Sequence, residues 1–114
     1  MTLRYVKPER IWLAGHPQFD ERWVQGRIAE DPALLGLGGL HLKDRKRMQP
    51  RAGWLDLLCQ DPDSNRRHEI EIQLERTDES HLIRTIEYWD IERKRYPQYD
   101  HTAVIVARTS PAGS

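Results

Sequence analysis

The sequence contains, at residues 53–59 and 68–75, the two segments GWLDLLC and HEIEIQLE. The first is apolar except for Asp56, and the second alternates strictly between apolar and polar side chains. Both patterns predict β-strands. The turn-forming run DPDSN at residues 61–65 lies between them, so the two strands are expected to form an antiparallel hairpin.

The expected register of this hairpin brings two carboxylates together. A reversal centred between Asp63 and Ser64 places Asp56 opposite Glu71. Two ionised carboxylates whose Cβ atoms are about 5 Å apart repel each other. Either one of them stays protonated, or a hard divalent cation bridges both, with Gln73 pointing to the same side. The pattern therefore favours a Mg²⁺ site.

The polar residues of the second segment also have a simpler interpretation. Glu69, Glu71, Gln73 and Glu75 could form only the solvent-facing side of a half-buried strand. Asp56 argues against this interpretation, because a lone carboxylate in an apolar strand costs free energy if it is buried without a partner.

The composition limits the class of protein. With 114 residues, 38% of them hydrophobic and 32% charged, the chain is typical of one soluble α/β domain. No apolar run approaches the roughly 20 residues that span a bilayer, and the start lacks a signal-peptide core, so we expect a cytoplasmic protein without membrane contact. A formal net charge of zero argues against indiscriminate nucleic-acid binding, although a local basic patch can still bind. Cys59 is the only cysteine and is expected in the core.

A helix is expected before the hairpin, starting at Asp20 as its N-cap and ending before Pro32. Val24 and Ile28 lie on one face of this helix, and Glu21 shares that face. Glu21 is therefore expected to point toward the body of the protein. The alternative is that it only complements the helix dipole.

A strand is predicted from Leu40 to Met48, after a glycine-rich turn at residues 33–39. The later part of this strand is strongly charged, which is typical of a solvated strand edge. Its position just before the carboxylate hairpin also allows contacts with phosphates, and both interpretations can hold. The basic side chains are Lys43, Arg45, Lys46, Arg47 and Arg51.

A long helix is predicted from about residue 77 to residue 96, where Pro97 stops it. Its apolar spacing predicts a buried stripe formed by Leu82, Ile83, Ile86 and Trp89. The apolar run at residues 102–107 then predicts a strand that is covered on both faces.

This order of elements resembles the core of the PD-(D/E)XK nuclease superfamily over residues 20–107, with Asp in the second strand and Glu-x-Gln in the third. The matching motifs are Glu21 in the first helix, the PALL segment at residues 32–35, GWLD at residues 53–56 and EIQ at residues 71–73. The aromatic pair at residues 88–89 also fits. The resemblance implies an α/β (α+β) fold, namely a restriction-endonuclease-like αβββαβ core with a mixed central sheet flanked by helices.

By this resemblance, Asp56 and Glu71 are catalytic carboxylates that bind Mg²⁺, for which Mn²⁺ can substitute. Glu21 is an accessory ligand of the metal or of a water molecule. Gln73 occupies the position of the family's lysine, which orients the attacking water and steadies the scissile phosphate.

Gln73 departs from the family pattern, because an uncharged amide can do only part of the work of a lysine. Some restriction enzymes of the superfamily resemble this chain in carrying Gln or Glu there. Lys43 or Lys46 on the preceding strand could supply the missing charge.

The function implied is a metal-dependent nuclease that hydrolyses phosphodiester bonds in DNA. The alternative is a catalytically reduced relative that binds nucleic acid or a protein partner through residues 43–51. The sequence leaves open a homodimer. The expected organisation is an N-terminal arm at residues 1–19, the nuclease core at residues 20–108 and a flexible tail at residues 109–114. Because the chain ends just after its last predicted strand, we expect either a fragment of a longer protein or a minimal subunit.

Overall fold

The computed structural model describes residues 21–74 and 79–107. Within them the order of elements is that predicted from the sequence. A short 3₁₀ helix, Pro32–Leu35, stands where we expected only a turn. The main elements are α1 (Glu21–Glu30), β1 (His41–Gln49), β2 (Gly53–Gln60), β3 (Arg67–Gln73), α2 (Glu79–Arg95) and β4 (His101–Ala107).

The four strands form one mixed sheet in the order β1-β2-β3-β4. β1 pairs with β2 and β2 pairs with β3 in antiparallel fashion, whereas β3 and β4 are parallel. Leu57 pairs with Ile70, and one further step along this register places Asp56 opposite Glu71. The predicted fold class and the predicted hairpin register are therefore confirmed.

The two helices cover opposite faces of the sheet. Val24 and Ile28 of α1 pack in one core cluster with Ile70 of β3. Tyr88 of α2 packs with Leu58, which pairs with Glu69. Because neighbouring residues of a strand point to opposite faces, α1 lies on the face of Ile70 and α2 on the face of Glu69.

The helix α2 therefore covers the polar side chains of β3. Glu69, Glu71 and Gln73 are all buried, so the interpretation of these residues as a solvent-facing side is wrong. Glu75 lies outside the described residues. Burial of three polar groups in one strand requires partners for them. Glu69 Oε1 lies 2.6 Å from His101 Nδ1 of β4, whereas Glu71 and Gln73 belong to the site described below.

The buried stripe predicted for α2 is wrong in part. Leu82, Ile83 and Ile86 are exposed by 41 to 57%, whereas Trp89 is buried as predicted. The buried face of the helix consists instead of Thr85, Tyr88, Trp89 and Glu92. The reason is that the sheet offers polar partners under this face: Glu92 accepts hydrogen bonds from Arg47 and Gln49 of β1. The Thr85 hydroxyl donates to the carbonyl of His81 in its own helix.

Several predictions fall outside the described residues. These are the arm at residues 1–19, the N-cap Asp20, the start of the long helix before Glu79 and the tail at residues 109–114. The helix ends that the structure does describe, Glu30 before Pro32 and Arg95 before Pro97, agree with the sequence. Cys59 is buried as expected, and burial raises the pKa of its thiol to about 11. Neither described helix is long and apolar enough to cross a membrane.

Candidate active site

The β2–β3 ladder ends at the Leu57–Ile70 pair. Beyond this pair, carboxyl side chains accept the hydrogen bonds of the opposite backbone. The amide of Asp56 donates a hydrogen bond to Glu71 Oε1 at 3.0 Å. In the other direction, the amide of Ile72 donates to Asp56 Oδ2 at 2.8 Å. Each carboxyl group thus accepts a hydrogen bond from the backbone of the opposite strand, which fixes both groups where the strands separate.

Both carboxyl groups resist ionisation. Burial, together with the charge of Asp56, raises the pKa of Glu71 to about 7. Burial also raises the pKa of Asp56 above its ordinary value, although the hydrogen bond from Ile72 and the charge of Lys46 act in the opposite direction. Because a nearby positive charge favours the ionised form of a carboxyl group, a cation bound between these two groups would stabilise both of them.

Two further predicted residues join this pair. Gln73 Nε2 lies 3.5 Å from Glu71 Oε2. Glu21 Oε1 accepts a hydrogen bond from the amide of Leu74 at 3.2 Å, which holds the start of α1 against the end of β3. Asp56, Glu71, Gln73 and Glu21 all line one open cleft of about 880 Å³. The structure therefore brings together the four residues that the sequence selected as catalytic.

Sequence reasoning missed Gln25, which touches the central carboxylate directly. Its Nε2 donates to Asp56 Oδ1 at 3.2 Å, and its Oε1 accepts from Arg45 Nε at 2.9 Å. Gln25 is buried and lies one helical turn after Glu21. The i,i+4 spacing from Glu21 was the signal that could have identified it.

Lys46 is the cation that faces the carboxyl pair from β1. Its neighbours Arg45 and Arg47 pair with Leu57 and Leu55, so the register places Lys46 opposite Asp56. Lys46 lines the cleft and has a φ of 55°. A residue with a side chain is rare and strained in this left-handed region, above all inside a strand.

The alternation of β1 changes at this strained residue. Arg45 contacts Gln25 of α1, whereas Arg47 contacts Glu92 of α2. Residues two apart in a regular strand share a face, but these two reach opposite helices. The backbone distortion at Lys46 therefore accompanies the placement of a lysine beside Asp56.

The other basic residues predicted to bind nucleic acid lie outside the cleft lining. Lys43 and Arg51 are exposed, and Arg45 acts on the site through Gln25. Arg47 is held by Glu92 at 3.0 Å and by Asp44 at 3.2 Å, so its role in this structure is to neutralise a buried carboxylate. The cleft itself contains the basic residues Arg22, Lys46 and Arg84.

The carboxyl pair is suited to binding a hard cation and not to forming a closed structural metal centre. Among residues 21–74 and 79–107, no three His, Cys, Asp or Glu side chains are grouped so as to hold a metal ion by themselves. Mg²⁺ usually keeps several waters and binds proteins through one or two carboxylates. Asp56 and Glu71, with their oxygen donors and raised pKa values, fit that requirement.

Comparisons with known proteins agree on the fold. Neither a family model nor a curated protein sequence matches the chain. Among solved structures, an EndoMS–dsDNA complex superposes with a TM-score of 0.64 over 83% of this chain and 41% of that one, at 16% identity. A repair endonuclease from Pyrococcus abyssi superposes with a TM-score of 0.65 over 90% of this chain and 43% of that one, at 20% identity.

The fold is shared with these endonucleases. The chain spans only about two fifths of the length of either structure, so the likeness concerns one portion of each protein. At these identities it establishes the architecture and leaves the role of individual residues to the geometry of the cleft.

Proposed function

We propose that this chain is a metal-dependent nuclease of the PD-(D/E)XK type that hydrolyses phosphodiester bonds in DNA. The observation that carries the proposal is the pair of backbone hydrogen bonds that each carboxyl group accepts from the opposite strand, which fixes the half-buried Asp56 and the buried Glu71 at the wall of an open cleft. The fold that surrounds them occurs in the EndoMS–dsDNA complex and in the repair endonuclease from Pyrococcus abyssi, which supports the nuclease assignment.

Asp56 and Glu71 would hold Mg²⁺, or Mn²⁺ in its place, with Gln73 and Glu21 at the sides of the cleft. When bound, the ion supplies a water of lowered pKa and stabilises negative charge on the phosphate. Gln25 positions Asp56 through its amide nitrogen and is itself held by Arg45. The arrangement keeps the acidic oxygens in place before a metal or substrate arrives, which reduces the reorganisation that the reaction needs.

Lys46 would supply the charge that Gln73 lacks. It lies in the cleft beside Asp56, whereas Lys43 is exposed and outside the cleft lining. Of the two lysines that the sequence offered, the geometry favours Lys46. An ammonium group there can stabilise the phosphate charge that grows as the P–O bond breaks.

A catalytically reduced protein that binds DNA without cutting is the second candidate. The residue that favours this second candidate is Gln73, because an amide cannot carry the positive charge that a lysine brings to the phosphate. Both candidates share the cleft and its basic residues, and they differ in whether phosphodiester bonds are broken.

Cleavage of plasmid and single-stranded DNA, measured with Mg²⁺, with Mn²⁺ and with excess chelator, separates the two candidates. We expect cleavage only with metal, and its loss in Asp56→Asn and in Glu71→Gln. Asp63→Asn is the matched control, because Asp63 is an exposed carboxylate in the β2–β3 turn and should leave cleavage unchanged. Activity that survives chelator, or persists in both cleft variants, would falsify the metal-dependent mechanism at Asp56 and Glu71, whereas DNA that stays intact with both metals would favour the second candidate.

A further inference from the structure

Trp54 is a large aromatic side chain exposed at the rim of the cleft. It is 58% exposed, it lines the cleft, and it precedes Asp56 by two residues on β2. Its cross-strand partner Met48 is 60% exposed. An exposed indole does not gain the free energy that burial of its apolar surface would provide. A ligand that packs on Trp54 beside the carboxyl groups would bury that surface.

The backbone that carries Trp54 packs closely against α2. Gly53 has a φ of 122°, and a Cβ built on it would lie 2.6 Å from the Tyr88 hydroxyl. That hydroxyl donates a hydrogen bond to the carbonyl of Ala52 at 3.2 Å. The start of β2 is therefore held closely against α2, next to the residue that carries the indole.

The cleft beside Trp54 is lined by cationic side chains as well as by the carboxyl groups described above. Arg22, Lys46 and Arg84 line the same cleft, and the charge of Arg84 acts on Glu71. An aromatic face beside cationic side chains can bind single-stranded nucleic acid, because bases stack on the ring while the cations contact phosphates. A fully paired duplex offers no free base face unless a base is unstacked at a cost of a few kcal/mol.

We propose that Trp54 is a stacking platform for an unpaired base next to the phosphate in the cleft, and that the site therefore prefers single-stranded DNA to duplex. The proposal rests on the proposed function for the identity of the ligand. It adds a specificity-determining residue and a substrate class. It concerns binding, so its test does not depend on cleavage.

The test compares binding of a fluorescent twelve-nucleotide oligothymidine with that of a duplex of equal length, in Ca²⁺ and again in chelator. Removal of a base–aromatic stack should weaken single-strand binding of Trp54→Ala by roughly 5- to 100-fold. Duplex binding should change little, and Trp54→Phe, which keeps a ring, should retain most of the affinity. Ile83→Ala is the matched control, because Ile83 is 57% exposed on α2 and lies outside the cleft lining.

Three results overturn the proposal: wild type that binds the single strand in neither condition, Trp54→Ala that binds it as wild type does, and an equally large decrease in affinity for single strand and duplex. A different pattern marks failure of the nuclease assignment alone. In that case Trp54-dependent single-strand binding persists while DNA stays intact with every metal.

Discussion

Lys46 lies opposite Asp56 across the β1–β2 ladder, at a position where the backbone adopts a φ of 55°. A left-handed conformation costs a non-glycine residue on the order of 1 to 2 kcal/mol, so this lysine occupies a place where glycine would fit better. The fold thus tolerates local strain where it sets a cation beside the central carboxylate. Strained residues concentrate at functional sites for this reason.

The first prediction separates stability from activity at Lys46. Lys46→Gly relieves the backbone strain, and its greater freedom in the unfolded chain offsets part of that gain, so we expect the free energy of unfolding to stay equal or rise by up to about 1 kcal/mol. Cleavage should fall by roughly 10²-fold, as when a group that stabilises the transition state is removed. Urea unfolding and cleavage rates measure the two effects.

Two companion variants control this experiment. Asn65→Gly relieves another positive φ, in the β2–β3 turn, and should leave cleavage unchanged. Gln73→Lys, which returns a charge to the neighbourhood of Glu71, should restore part of the cleavage that Lys46→Gly removes. Undiminished cleavage in Lys46→Gly would exclude Lys46 from the proposed site.

The second prediction concerns metal binding by the carboxyl pair. At pH 8 in chelator, wild type must keep Glu71 ionised beside Asp56, although its pKa is raised to about 7. Glu71→Gln still accepts the hydrogen bond from the Asp56 amide, so its metal-free melting temperature should be equal to that of wild type or a few degrees higher. Differential scanning calorimetry without metal makes this comparison.

Addition of Mg²⁺ should reverse the order. A ligand that binds only the folded state at 100 times its Kd stabilises it by roughly 2.7 kcal/mol, which for a domain of this size shifts the melting temperature by on the order of ten degrees. Glu71→Gln should gain far less, and Asp63→Asn should respond as wild type does. Equal shifts for all three proteins, with Mg²⁺ titrated into the tens of millimolar, would contradict a metal site at Glu71.

The third prediction distinguishes Arg47 from its basic neighbours. Glu92 is fully buried, and its Oε2 accepts hydrogen bonds from Arg47 at 3.0 Å and from Gln49 at 2.9 Å. Arg47→Met leaves that carboxylate without its cation, which should cost roughly 3 kcal/mol or more. The double variant Arg47→Met with Glu92→Gln should recover most of that stability in urea unfolding. A double variant as unstable as Arg47→Met alone would mean that the packing of Arg47, and not its charge, stabilises the fold.

The exposed residues Lys43 and Arg51 form the contrasting case. When both are replaced by Ala, each substitution should change the free energy of unfolding by no more than about 0.5 kcal/mol. If they bind phosphates, the slope of log affinity against log salt should flatten by about 0.7 to 0.9 for each phosphate that the variant no longer neutralises. An unchanged slope would mark them as the solvated edge that the sequence also allowed.

Asp56, Glu71, Gln73 and Glu21 could be found from the sequence because strand alternation and helix periodicity are local signals. The turn between β2 and β3 set the register, and the register set the Asp56–Glu71 contact. The contribution of Lys46 could be suspected but not chosen over that of Lys43, since a positive φ within a strand has no signature in residue type.

The exposed face of α2 shows where periodicity failed. Leu82, Ile83 and Ile86 form a helical stripe, but the helix turns Thr85 and Glu92 inward instead. One cause lies in β1, whose Arg47 and Gln49 donate hydrogen bonds to Glu92, so a distant strand influences which face of the helix is buried. Apolar spacing in the helix alone cannot report that choice.

His68 provides a test of the core on the other face of the sheet. Its ring is buried, and within the described residues its Nδ1 has no hydrogen-bond partner. Burial lowers its pKa from the ordinary value of 6.5 to about 4, and the charge of Arg66 acts in the same direction. The folded protein therefore favours the neutral ring.

The last prediction follows from this depressed pKa. The unfolded chain binds the His68 proton more tightly than the folded protein does. The contribution of His68 to the free energy of unfolding should therefore be complete above pH 6.5. It should decrease as the pH drops toward 4, by up to roughly 3 kcal/mol. His68→Gln does not titrate, so whatever its absolute stability, this part of the pH dependence should vanish. Urea unfolding of both proteins at several pH values between 4 and 8 makes the comparison, in which the other ionisable groups cancel. Parallel pH profiles would show that the imidazole is protonated as easily in the folded protein as in the unfolded chain.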